Sequence, residues 1–177
     1  MKAYKIAPCT VSILEGKGDE LIRELRAHRI DLIVSNYPSQ ASEGEQVFSK
    51  SVAKLPVFVY GSEKFKHLKK NFPKSLNSIP FVLPTAHSKL RHDLNHYFRV
   101  NKIHITNVAE TQDTSLQKLI VQHGIGLAPF SEVEAKEQGL IKIGQLKDVY
   151  EEIWLISAQR KLENSIAANL MNTFVLG

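Results

Sequence analysis

Glu110-Thr111-Gln112-Asp113-Thr114-Ser115-Leu116-Gln117-Lys118-Leu119-Ile120-Val121-Gln122-His123-Gly124-Ile125-Gly126-Leu127-Ala128-Pro129-Phe130 is the stretch whose reading decides the fold. It reads as a polar turn, a helix, a glycine stop and a short buried strand. Leu116, Leu119 and Ile120 stand at i, i+3 and i+4, the spacing of one apolar helix face. Thr114 and Gln117 have the spacing of a capping box, and Gly124 supplies a left-handed stop. Ile125 to Ala128 form an apolar run that Pro129 should close. The layout sets hydroxyl, amide and carboxyl groups beside a helix N-terminus, which suits holding a small ligand. It contains no nucleophile paired with a base.

Working outward, Ser131 to Gln138 is expected as a short helix stopped by Gly139, followed by strands at Leu140–Ile143 and Glu152–Ser157 and a helix over Ser165–Phe174. On the N-terminal side, Cys9 to Glu15 alternates like a strand. After Gly16-Lys17-Gly18, the residues Leu21, Ile22 and Leu25 mark an amphipathic helix opened by Asp19 and Glu20, with Arg26, His28 and Arg29 in its last turn. Ile30-Asp31-Leu32-Ile33-Val34 is a continuous apolar run of the kind found in parallel sheets, so the span reads as a βαβ unit. Val47 to Tyr60 reads as extended structure interrupted at Pro56. Pro80 to Leu83 is a buried strand ended by Pro84, and Ser88 caps a helix striped by Leu90, Leu94, Tyr97 and Phe98. Ile103 to Val108 is a further alternating strand, while Glu63 to Ser78 has no clear period. Alternation of strands and helices gives an α/β class.

Composition narrows the function classes. The chain has 177 residues, 43% of them hydrophobic, and a formal net charge of +5. That is enough for one domain or for two small lobes. No apolar run approaches the roughly 20 residues needed to span a bilayer, and Met1 to Pro8 lacks the pattern of a signal peptide. One cysteine, Cys9, excludes an internal disulfide framework and fits a reducing cytoplasm. The basic cluster Lys64, Lys66, His67, Lys69 and Lys70 reads as a solvated face rather than a nucleic-acid reader. His92 and His96 stand four apart, but zinc needs further ligands. Phe98 and Trp154 read as core aromatics.

Two motifs together carry a resemblance. Glu20-Leu21, Leu25 and Ile30-Asp31-Leu32-Ile33-Val34 resemble the "L-x-x-L-x-x-G-x-L-D-L-A-I" signature of the effector-binding part of LysR-type transcriptional regulators. Glu110-Thr111, Leu116, Ile120-Val121 and Gly124-Ile125-Gly126-Leu127-Ala128-Pro129 resemble that family's "E-x-x-x-x-x-L-V-x-x-G-x-G-I-x-x-L-P" signature. Asp31 to Ser35, Leu83-Pro84 with Ser88 and Leu90, and Tyr97-Phe98 look most like the branch that activates sodium/proton antiporter genes.

The resemblance implies a two-lobe, type 2 periplasmic-binding-protein-like α/β fold, N-terminally truncated. Residues 1–57 and 142–177 would form lobe I and residues 58–141 lobe II. Relative to the family, the helix-turn-helix domain that meets DNA and the first strand of the effector domain are missing. The resemblance also implies a cytoplasmic, non-enzymatic sensor that binds a small molecule or ion between the lobes, with sodium or linked alkaline stress as the signal. It implies a homodimer or tetramer in which the helix Asp19–His28 meets the helix Ser115–His123 of a neighbour. No cofactor, metal or membrane is expected.

Carried over by position, the ligand would meet Ser35 and Asn36 from lobe I. From lobe II it would meet Thr85, His87, Ser88, Gln112, Asp113 and Thr114, with Pro129 and Phe130 along the wall. Each polar candidate has a plainer reading: Ser88, Asp113 and Thr114 as helix caps, Asn36 as a turn residue. A solute-binding protein for transport is the alternative on the same fold. An enzyme on it, such as a deaminase, lacks a paired acid and base.

Overall fold

The computed structural model describes residues 2–39, 47–135, 139–158 and 164–176. It is a mixed α/β chain that divides into two compact units, residues 1–54 with 152–177, and residues 55–151. Two long strands, β2 (Val47–Gly61) and β6 (Ile141–Ala158), lie partly in each.

The first unit holds α1 (Lys2–Ile6), α2 (Gly18–Arg26), β1 (Ile33–Ser35), the start of β2 (Val47–Gly61), the end of β6 (Ile141–Ala158) and α5 (Ser165–Thr173). α2 buries Leu25 completely and packs it with Ile33 and Ile156, flanked by Leu21 and Ile22. α5 packs Met171 beside Val52 and Leu155. Both of its ends are satisfied. The Asn164 side chain accepts from Ile166 N and Ala167 N, and Lys50 Nζ donates to the carbonyls of Met171 and Asn172 at 3.0 and 2.8 Å. A cation at a helix C-terminus also complements its dipole.

Several expectations for this unit fail, for connected reasons. Cys9 to Glu15 forms no strand, and Val11, Ile13 and Leu14 are exposed. An alternating pattern makes a strand only where a neighbour completes the ladder, and none of the described strands pairs with it. The βαβ unit is therefore absent. Ile30–Val34 yields only β1, antiparallel to β6 with Val34 opposite Leu155, and Val34 is 70% exposed instead of covered on both faces. α2 stops at Arg26 rather than Arg29, because His28 turns to a positive φ of 62°. Arg29 instead folds back onto the Glu24 carboxylate at 2.5 and 2.6 Å.

The second unit is built on the remainder of β2 and β6 with β3 (Pro80–Leu83), α3 (Lys89–Val100), β4 (Thr106–Glu110), α4 (Thr114–Gln122) and β5 (Ala128–Ser131). β3 and β4 pair in parallel, and β2 pairs antiparallel with β5. Val57, Val59, Phe81, Leu94, Leu127 and Leu146 are fully buried in its main core. The basic stretch without clear period is a 3-10 helix over Glu63–Asn71, anchored by buried Phe65 and Leu68.

Boundaries shift here as well. β4 runs over Thr106–Glu110 rather than Ile103–Val108, because Ile103 leaves the strand to fill the core at 5% exposure. Pro56 does not interrupt β2, and one strand spans Ile141–Ala158 where two were expected. Pro129 lies inside β5 opposite Val59 instead of ending a strand. On its other side the segment is bonded to β3 at Leu127, whose N donates to Pro80 O and whose O accepts from Val82 N, and Pro129, with no N–H, does not extend that pairing. Residues 132–135 form turns and no helix, and residues 136–138 of the expected helix lie outside the described residues.

Candidate functional site

The parallel pairing of β3 with β4 sets Leu83 opposite Glu110. Both strands therefore finish at the same edge of the second unit, and each is followed by a helix start. In open α/β sheets that edge is where ligands bind. The loop after β3 carries Thr85 and His87 and ends at Ser88, whose Oγ accepts from Arg91 N at 3.1 Å and caps α3. The loop after β4 carries Thr111 and Gln112 and ends at Asp113.

Asp113, not Thr114, is the N-cap of α4. Its Oδ1 accepts from Ser115 N at 2.8 Å and Leu116 N at 3.1 Å. The expected capping box does not form, since Gln117 turns inward and donates from Nε2 to Val82 O at 2.9 Å. The apolar face of α4 is rotated accordingly. Gln117 and Val121 are buried with Ile120 partly so, while Leu116 and Leu119 are 45% and 50% exposed. Gly124, at φ 71°, ends the helix as its sequence indicates. Gly126 lets the chain pass β3 closely: a Cβ there would stand 2.8 Å from Pro80 O.

Two cross-links hold the loops together. Gln112 Nε2 donates to Thr85 Oγ1 at 3.3 Å. Arg91 reaches from the first turn of α3 to the Glu110 carboxylate at 2.8 Å and to Pro84 O at 2.7 Å. The hydrogen bond from Arg91, and a second from Asn107, hold the Glu110 carboxyl below the usual glutamate range. Arg91 and Glu110 were not among the sequence candidates. Their spacing of 19 residues has no local signature, and only the parallel register of β3 and β4 brings them together.

Thr85, Ser88, Gln112, Asp113 and Thr114 are thus gathered at one edge of the second unit, with His87 exposed beside them. Pro129 and Phe130 lie in β5. Phe130 is 1% exposed and packs in the core with Tyr60, ring centroids 6.1 Å apart. Ser35 and Asn36 belong to the first unit, where Ser35 ends β1 and Asn36 follows it, and both line a cavity of about 810 Å³. Ser35 Oγ there accepts from Tyr37 N at 3.2 Å.

A second polar cluster in the second unit escaped the sequence reading. Glu134 Oε2 accepts from Ser131 N and Ser131 Oγ at 2.9 and 3.0 Å. Glu151 faces the same carboxylate. Burial, then the Glu134 charge and their mutual hydrogen bond, push the Glu151 carboxyl up to about 7. Two carboxylates that close favour sharing a proton. Among the described residues no group of three or more His, Cys, Asp or Glu side chains is arranged to hold a metal ion. No described helix is long and apolar enough to cross a membrane.

This architecture has known relatives. The LysR substrate binding domain family matches residues 8–175. The transcriptional activator protein NhaR of Escherichia coli is 23% identical over 170 residues, which is 94% of this chain and 56% of NhaR. The chain therefore spans about half the length of that curated relative. Among solved structures, the regulatory domain of HypT from Salmonella typhimurium superposes with a TM-score of 0.72 at 14% identity, over 96% of this chain and 87% of that domain. The effector binding domain of QuiR in complex with shikimate gives 0.61 at 13%, over 89% of this chain and 76% of that domain. The fold is that of LysR regulatory domains, and the chain belongs to the LysR substrate-binding domain family.

Proposed function

We propose that this chain is the effector-sensing part of a transcriptional regulator and that its second unit meets a small polar organic ligand, anionic in character. One observation carries the reading. β3 and β4 end side by side, and their two following loops, joined by the Gln112–Thr85 hydrogen bond, both lead into helix N-termini. Backbone N–H groups in a first helical turn are not all used within the helix, and their dipole favours negative charge. QuiR, on the same fold, is solved with shikimate, a small carboxylate. NhaR is a transcriptional activator. The sensor reading brings control of transcription to this chain as well, without catalysis, with DNA contact supplied by a helix-turn-helix domain outside these residues and with a cytoplasmic location.

Sodium is the competing effector, and Asp113 would be its natural carboxylate. Oδ1 of that carboxylate accepts from two backbone N–H groups of α4, which leaves at most Oδ2 for a cation and favours the organic anion. Assembly is proposed through the outer face of α4, where Leu116 and Leu119 stand exposed. Ser35 and Asn36 are proposed as the first unit's own ligand-facing residues. A transport solute-binding protein remains the alternative on the same fold.

The test is a thermal-shift screen of small carboxylates against sodium and lithium chloride at matched ionic strength. A ligand present at a hundredfold excess over its Kd adds about 2.7 kcal/mol. The reading expects a carboxylate to raise the midpoint of the native chain and to lose that effect in Thr85→Val and Gln112→Ala. A rise with sodium alone, lost in Asp113→Asn, replaces the anion with the cation. A midpoint indifferent to every ligand overturns the sensor reading.

A further inference from the structure

Residues 63–78 hold five lysines and one glutamate, a formal +4, while the whole chain carries +5. The excess positive charge therefore sits almost wholly in one stretch of the second unit. Local structure turns that stretch into a platform. In a 3-10 helix, residues three apart eclipse one another. Phe65 and Leu68 share one row, and both are buried in the main core along with Leu76. Lys64, His67 and Lys70 form a second row and Lys66 and Lys69 a third, all of them exposed. Phe72 fixes the far end, its ring filling the space over Gly144 of β6, where a Cβ would stand 2.5 Å from Phe72 Cγ. Ser75 Oγ donates to Leu68 O at 2.6 Å and ties the following turn back to the helix. Lys70 and Lys74 then flank a concavity of about 520 Å³ beside Phe72 and Ser75. Glu63 pairs with Lys66 at 2.5 Å. The other four lysines enter no ion pair among the described residues.

The chemistry of this face selects its partner. Protein interfaces concentrate aromatic and arginine anchors and are depleted in lysine. Residues 63–78 contain no arginine and expose no large apolar side chain. Lysine is a compact charge on a flexible stem, which meets a phosphate without demanding a fixed geometry. Nine helical residues at about 2 Å each span about 18 Å, roughly the length of five base steps. Read from sequence, the cluster is a solvated face without a base-reading element, and in the fold it stays exposed. Phosphate contact needs no more, since it holds a protein on a duplex without reading sequence.

We propose that the face formed by residues 63–78 binds the phosphate backbone of double-stranded DNA, independently of sequence. It rests on the regulator reading for one thing, a DNA-binding domain elsewhere in the polypeptide that holds duplex nearby. A contact linked in that way acts at an effective concentration on the order of millimolar, so a weak one suffices.

Fluorescence anisotropy of a labelled duplex of about 20 base pairs, titrated with the 177-residue chain between about 50 and 200 mM salt, tests it. Binding should saturate, ignore duplex sequence, and weaken with salt at a log–log slope of about −3 to −4, from four lysines at about 0.9 each. Lys70→Glu with Lys74→Glu should weaken it by about tenfold or more and flatten the slope by about 2. Lys5→Glu with Lys17→Glu makes the same change in net charge on exposed residues of the first unit, and should stay within about threefold of the native chain. Unchanged circular dichroism checks that both variants fold. Equal losses in the two variants, which mark attraction by net charge alone, overturn the proposal, as does no binding at the lowest salt. Displacement of the duplex by polyglutamate at matched charge also overturns it, because the face then suits an acidic protein. No effector enters this titration, so a silent thermal-shift screen and a silent duplex titration are separate failures.

Discussion

Glu151→Gln is the perturbation that most directly tests the electrostatics of the second unit. Glu151 holds its proton up to about pH 7 against an ordinary glutamate value of 4.5, chiefly through burial and then through the Glu134 charge. At about 1.4 kcal/mol per tenfold change in proton affinity, that difference corresponds to about 3 kcal/mol. The sign follows from linkage. Below pH 4.5 the folded and unfolded chains both carry the proton, and the contribution is complete. Between 4.5 and 7 the unfolded chain loses it while the folded chain retains it, so stability falls as pH rises. Above about 7 the folded chain loses it too, and the slope vanishes.

Glutamine keeps a donor toward Glu134 Oε and never ionises. The variant should therefore match the wild type near pH 4 and exceed it at pH 8 by up to about 3 kcal/mol, roughly 6 to 12 °C in midpoint for a chain of this size. Thermal melts followed by circular dichroism at pH 5, 6, 7 and 8 read the difference directly. Other titrating groups are common to both proteins and cancel. Glu134→Gln should lower the Glu151 proton affinity and flatten the wild-type slope in the same direction. A wild-type minus Glu151→Gln difference that stays constant from pH 5 to 8 refutes the reasoning.

The remaining predictions separate capping, packing and assembly. Asp113→Ala should cost about 1 kcal/mol by removing the cap of α4, while Asp113→Asn, which keeps an accepting oxygen, should stay close to wild type in urea unfolding. Gln117→Leu should cost about 1–3 kcal/mol, because it removes the donor to the buried Val82 carbonyl. Chemical denaturation reads that loss, and a neutral result contradicts the inward role of Gln117. Gly126→Ala should destabilise by about 1–3 kcal/mol, since its methyl meets the Pro80 backbone and not a flexible side chain. Leu119→Lys should lower the oligomeric state in light scattering without lowering the melting midpoint, as expected of an exposed interface residue and not of a core one.

The contrast between α4 and Cys9–Glu15 shows what local sequence encodes. In α4 the length and the glycine stop were legible, because each is a property of neighbouring residues, whereas the strand expected over Ile125 to Ala128 runs instead over Ala128–Ser131 and leaves Ile125 exposed. Which face of α4 turns inward was not legible. Gln117 is polar, and only the Val82 carbonyl of β3, 35 residues away, makes it a core residue in place of Leu116. Arg91 and Glu110 were hidden for the same reason, their meeting depending on the register between β3 and β4. Cys9–Glu15 fails in the opposite direction. Its alternation is a valid strand signal, but a strand is a relation between two segments, and the described residues supply no partner. Val34 is likewise exposed, and the outer edge of β1 is unpaired among the described residues. A local pattern states what a segment can join, and the fold decides whether a neighbour is there to join it.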